Sequence, residues 1–122
     1  MAVSPLHIDI ESLTQQNTAY RRVYYTLPAM QVVFMSLKPK EEIGMEVHPD
    51  NDQFFRIEQG IGLAVVNDEP YLLRPNTVLV VPRGQYHNII NTSITDPLKL
   101  YTIYTPAHHP HGLIQMDKPM SD

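Results

Sequence analysis

The sequence predicts an all-β protein built as an antiparallel β-barrel, and three observations carry that prediction. Eleven prolines and five glycines cut the 122 residues into short pieces, as turns do in a chain of strands. The pieces between them are rich in Val, Ile, Tyr, Phe and Thr, which fit a pleated, half-buried surface better than a helix. Apolar runs stop at about strand length, well short of the roughly 20 residues that a membrane helix needs. One domain is expected over 1–122, with a barrel core over about 20–105 and a tail over 106–122. A chain of this size buries roughly two-thirds of the surface its unfolded form exposes, enough for one hydrophobic core without staples.

The first element in order is the only helical one, a turn or two over 11–16. Strands follow near 20–26, 30–37, 43–48, 53–59, 61–67, 71–74, 77–82, 87–91 and 98–105. Asn67-Asp68-Glu69-Pro70 is a turn sequence between two of them. Gly60, between two apolar runs, is expected to supply a positive φ or a close backbone approach. Beyond Pro106 no periodicity survives, so the tail is expected to be extended or loosely packed. Internal repeats and linkers are absent from the sequence.

Composition narrows the chemistry. The chain has no cysteine, so any metal must be held by nitrogen and oxygen ligands. A net charge of −4, with no basic run longer than Arg21-Arg22, argues against nucleic acid as a partner. Residues 1–10 carry neither a basic leader nor a long apolar stretch, and a cytoplasmic protein with no membrane partner is expected.

Strand phase supplies the first site information. In Ile43-Gly44-Met45-Glu46-Val47-His48, alternation puts Ile43, Met45 and Val47 on one face and Glu46 with His48 on the other. Alone, that pair reads as an exposed polar face.

A downstream pattern gives it a second reading. Asn76 is followed by five residues, then Pro82, Arg83, Gly84, two residues, His87, three residues and Asn91. This resembles the second cupin motif, with Asn76 in place of the leading glycine; asparagine tolerates the left-handed conformation best among other residues. The first cupin motif fits with Glu46 at its first histidine, His48 at its second, Gln53 at its glutamate and Gly60 at its closing glycine, while Lys40 takes the leading glycine position. Fifteen residues then separate Gly60 from Asn76. The segments 17–23 and 35–39 resemble small bacterial cupins of the mannose-6-phosphate isomerase-like kind.

The resemblance implies a cupin-type barrel, that is, a double-stranded β-helix or jelly roll. It also implies one divalent metal ion, Zn, Fe, Mn, Ni or Co, on Glu46, His48, Gln53 and His87. Usual cupins present three histidines and a glutamate. Type I phosphomannose isomerases, which share the cupin fold, hold zinc with two histidines, a glutamate and a glutamine, the same four residue types. Phe55 and Ile57 are in phase with Gln53, and Ile89 and Asn91 with His87; with Tyr101 and Tyr104 on the last long strand they form the expected substrate pocket. Arg56 is out of phase and should point away from the interior.

Other polar groups have plainer readings. Asp50, Asn51 and Asp52 read as a solvated turn, and His7 as structural or exposed. His108, His109 and His111 could cover the barrel mouth, but an exposed loop is the expected state. Three functional classes stay open: a metal-dependent enzyme on a sugar or sugar phosphate, or alternatively a dioxygenase; a non-catalytic small-ligand-binding barrel; and a structural barrel. The resemblance further implies a homodimer.

Overall fold

The computed structural model describes residues 3–120; the outermost residues of the expected domain and tail, 1–2 and 121–122, lie outside them. A short helix, α1 (Ile10–Gln16), precedes β1 (Arg21–Leu27), β2 (Met30–Leu37), β3 (Asp52–Gln59), β4 (Gly62–Val66), β5 (Glu69–Leu73), β6 (Val78–Val81), β7 (His87–Asn91), β8 (Leu98–Thr105) and β9 (Ile114–Gln115). Six strands pair antiparallel in the order β6-β3-β8-β2-β1-β9, and three in the order β5-β4-β7. The two sheets face each other in the jelly-roll manner that the motifs implied. No helix among the described residues is long and apolar enough to cross a membrane.

Residues directly opposite one another across a ladder share a face, so register defines the interior layer by layer. Leu37 with Leu98, Met35 with Leu100 and Ile57, and Val33 with Thr102 and Phe55 form successive rows. Val23, Ala64, Ile89 and Leu73 complete an apolar core from the remaining strands. The next row changes character: Gln31, Tyr104 and Gln53 stand side by side, all buried. The barrel therefore has an apolar floor and a polar layer at one end.

Asp9 caps α1, its carboxylate accepting from the Ser12 N–H at 3.1 Å. Asn67 and Asp68 both have positive φ, 47° and 68°, the two-residue hairpin turn that matches strand twist. Glu69 and Pro70 consequently belong to β5 rather than to the turn. Pro70 is tolerated there because β5 is an edge strand.

Two expectations need correction. The segment 43–48 is not a continuous strand. Gly44 at φ 103° interrupts it, and it bridges β7 only at Glu42 with Ile90 and at Glu46 with His87. The Asn88 side chain bonds the Gly44 N–H at 2.8 Å, so Met45 turns out to solvent. The tail is not loose either. β9 pairs with Arg21 and Arg22, Leu113 packs on the core, and the Lys118 ammonium donates to the Glu42 carbonyl at 2.6 Å.

Both motif positions that lack the usual glycine keep its backbone conformation, Lys40 at φ 66° and Asn76 at φ 73°. Gly60 combines φ 95° with a backbone approach so close that a Cβ would collide with the Pro97 carbonyl oxygen. A Cβ at Gly44 would meet nothing within 4 Å. Gly44→Ala should accordingly lower stability by about 1–2 kcal/mol, the left-handed strain alone, and Gly60→Ala by more than about 3 kcal/mol. Urea unfolding of the two variants reads the difference; equal losses would mean that the Gly60 contact yields freely.

Candidate metal centre

The centre is assembled at the polar end, where the broken segment 42–46 runs beside β7. Glu46 and His87 exchange both backbone hydrogen bonds, each 2.9 Å, which brings their side chains out side by side. His48 follows two residues later. Its carbonyl accepts from the Gly84 N–H at 2.9 Å, so the turn that leads into His87 also holds His48. Arg83, in that turn, bonds Asp52 through its backbone N–H at 2.9 Å and its guanidinium at 3.0 Å, pinning the start of β3 and with it Gln53.

Candidate ligand atoms of Glu46, His48 and His87 all lie within 4.8 Å of one another. Glu46 Oε1 is 3.2 Å from His48 Nε2 and 3.7 Å from His87 Nε2. The two imidazoles are almost wholly buried, 7% and 1% exposed. His87 Nδ1 lies 2.9 Å from the Gln85 carbonyl oxygen. A carbonyl only accepts, so Nδ1 carries the proton and Nε2 presents a lone pair. That Nε2 is buried and meets no donor among the described residues. Gln53 repeats the situation: its Nε2 donates to Thr102 Oγ1 at 2.9 Å, and its Oε1 is buried without a donor.

Burial raises the Glu46 pKa most strongly, but hydrogen bonds and charge from His48 and His87 in their protonated forms together outweigh it and lower the carboxyl to about 2. Glu46 is thus an anion at neutral pH. The Glu46 anion and the two imidazoles within ligand distance of it fit a cation, and the donorless Gln53 amide oxygen lies in the polar layer at the same end of the barrel. Their nitrogen and oxygen character suits Zn, Fe, Mn, Ni or Co.

The remaining expected site residues fall in different places. Phe55 is buried with its ring 6.1 Å from that of His87. Tyr104 faces inward, 5.6 Å from His48. Ile57 and Ile89 belong to the apolar core. Asn91 is not brought to the centre. It lies four residues along β7 from His87, roughly 13 Å, and its amide donates to the carbonyls of Leu37, Lys38 and Asp96. Tyr101 stands on the outer face, stacked on Phe54 at 6.3 Å; three residues from Tyr104 on a strand, it must face the other way. Arg56 is on that outer face as well, bonded to Glu58 at 3.0 Å and to Asn76.

The tail contributes what the sequence did not lead us to expect. His108 stacks on Tyr104 at 5.2 Å and sits edge-on to His48 at 4.5 Å. Burial, and after it the neighbouring His48, lower the His108 pKa. His109 Nε2 lies 3.2 Å from the Tyr104 hydroxyl and its side chain is half-buried, while His108 and His111 are exposed, as expected. Gln31, fully buried on β2, accepts from the His108 and His109 N–H groups and donates to the His109 carbonyl. Asn51 is buried, donating to the Pro106 carbonyl at 2.7 Å, so it braces the tail, while its neighbour Asp50 stays in solvent as expected. A glutamine at an inward position of the apolar run Met30–Leu37 was the available signal for Gln31.

The cupin domain family model matches residues 33–104. An uncharacterized protein of Acanthamoeba polyphaga mimivirus is 49% identical over 117 residues, covering 93% of this chain and 73% of that one. YrkC of Bacillus subtilis is 42% identical over 120 residues, and the chain spans 64% of its length. A crystal structure from Bacillus halodurans, 38% identical, superposes with a TM-score of 0.92 over 94% of this chain and 91% of that one.

His87 tests whether the orphaned lone pair is a structural residue or a ligand. In metal-free protein His87→Leu removes an unsatisfied acceptor along with one hydrogen bond, two effects of about 1 kcal/mol each and opposite sign. Its stability in urea should therefore match wild type within about 1 kcal/mol. A loss of several kcal/mol would mark His87 as a structural histidine.

Proposed function

We propose that this protein, which belongs to the cupin family, holds one divalent metal ion on Glu46, His48, His87 and Gln53 and binds a small molecule at it. The observation that carries this reading is the pair of buried acceptors, His87 Nε2 and Gln53 Oε1, that meet no donor among the described residues. A cation beside the Glu46 carboxylate satisfies both. When bound, the ion supplies Lewis-acid polarisation of an oxygen on the small molecule. The chain's own residues prepare the site. The Gln85 carbonyl keeps the His87 proton on Nδ1, Thr102 occupies the Gln53 amide N–H, and Phe55 and Tyr104 wall the interior from bulk water.

The chemistry of the small molecule is the finer part of the proposal. A sugar or sugar phosphate is the first class to assay, since two histidines, a glutamate and a glutamine are the zinc set of type I phosphomannose isomerases. Phenols and diketones, as dioxygenase substrates, are the second. Binding without turnover of either makes the barrel a binding module. A cytoplasmic location is part of the same reading.

A homodimer is proposed on the outer face of the six-stranded sheet. Val78 and Val80 are 49% and 57% exposed on the edge strand β6, opposite Arg56 and Phe54, whose further partners on β8 are Tyr101 and Ile103. Light scattering at micromolar concentration should give twice the chain mass, and Val78→Glu/Val80→Glu should halve it; a monomeric wild type would remove the dimer from the account.

Elemental analysis of untagged protein tests the metal reading. One ion per chain is expected in wild type and none in His48→Ala/His87→Ala. At a free metal concentration about 100 times its Kd, binding adds about 2.7 kcal/mol to wild-type stability, and the double variant should gain none. Equal metal content in both proteins would overturn the site.

A further inference from the structure

We propose that His108, delivered by the segment that follows β8, is a ligand-recognition residue that donates a hydrogen bond to a small oxygen monoanion held at the Glu46–His48–His87 centre. The inference rests on the metal reading above and deepens it, naming the class of ligand and the group that reads it.

Of the three tail histidines, His108 is the one whose ring packs against a centre residue, edge-on to His48 at 4.5 Å and stacked on Tyr104 at 5.2 Å. It sits on the side of His48 where Tyr104 also lies, 5.6 Å away. His108 is not within ligand distance of the cluster that Glu46, His48 and His87 form, so its role is to face what the centre binds rather than to join it.

The segment that carries His108 is held by buried side chains of the barrel. Gln31 is fully buried and spends its amide on the backbone of two consecutive residues: Oε1 accepts from His108 N–H at 3.1 Å and His109 N–H at 2.9 Å, and Nε2 donates to the His109 carbonyl at 2.8 Å. Asn51 holds the Pro106 carbonyl at 2.7 Å, and the Ala107 N–H reaches the Pro28 carbonyl at 3.3 Å. Buried side-chain amides committed to a surface-crossing segment fix its backbone, and through it the direction of the His108 ring. His108 and His111 are both exposed, but of these two described residues only the His108 ring packs on His48.

Charge selects the ligand. A divalent ion with one carboxylate, two neutral imidazoles and a neutral amide leaves a centre of net charge +1 in a largely apolar interior. A monoanion neutralises it, whereas a dianion leaves a buried negative charge. A carboxylate places one oxygen at the centre and offers its second to a His108 ring N–H.

Cobalt(II)-loaded protein, titrated with acetate and with sulfate while the visible cobalt absorption is followed, tests the proposal. Wild type should take one cobalt per chain and bind acetate more tightly than sulfate. His108→Phe, which keeps the ring and its stacking but not the donor, should retain cobalt and weaken acetate about tenfold. His108→Gln should recover part of that loss, and Gln31→Ala should reproduce it by releasing the segment. His111→Ala should behave as wild type. Unchanged acetate affinity in His108→Phe, tighter sulfate than acetate in wild type, or loss of cobalt itself from His108→Phe would overturn the proposal while leaving a metal centre in place. A wild-type chain that takes up no cobalt would overturn the metal reading, and this inference with it.

Discussion

The polar end of this barrel collects acceptors and withholds donors from them. An imidazole lone pair on His87 and the amide oxygen of Gln53 are buried with nothing to donate to them among the described residues, beside an ionised Glu46. An unsatisfied buried acceptor costs roughly 1–3 kcal/mol, and a domain of this size has only about 5–15 kcal/mol of net stability. A fold tolerates such an arrangement when something outside the chain completes it. The acceptors, all nitrogen and oxygen, are ligand types that a divalent transition metal takes.

Everything that positions the centre can be read from that requirement. The Pro82–Gly84 turn supports both histidines, one through the chain that follows it and the other through the His48 carbonyl. Gly44 breaks what would have been a strand, and the break leaves Glu46 bridged to His87. The apolar rows beneath, from Phe55 down to Leu37 and Leu98, supply the burial that makes the lone pairs expensive to leave bare. Stability is thus built at one end of the barrel and chemistry at the other.

Much of this was legible in the sequence because it depends on local rules. Strand alternation placed Phe55 with Gln53, turn chemistry placed the hairpin at Asn67-Asp68, and left-handed tolerance allowed Asn76 to stand for glycine; each is decided within a few residues. The motif spacing paired Glu46 with His48 and His87 although their residue types depart from the usual set. What escaped depends on contacts distant in sequence. Nothing near His108 signals that Gln31, 77 residues earlier, will bond its backbone. Asn91 was in phase with His87 and still lies at the far end of β7, since phase fixes the face and not the depth. Tyr101 and Tyr104 face opposite ways because an odd spacing on a strand separates them, a consequence of the two-residue period.

The central claim is that the interior binds its ion through two imidazoles, a carboxylate and an amide, with the tail histidine outside the ligand set. X-ray absorption spectroscopy of the zinc-reconstituted protein measures this directly. The account predicts only nitrogen and oxygen neighbours and the outer scattering of two imidazole rings. Scattering from three or more imidazoles, or from none, would contradict it.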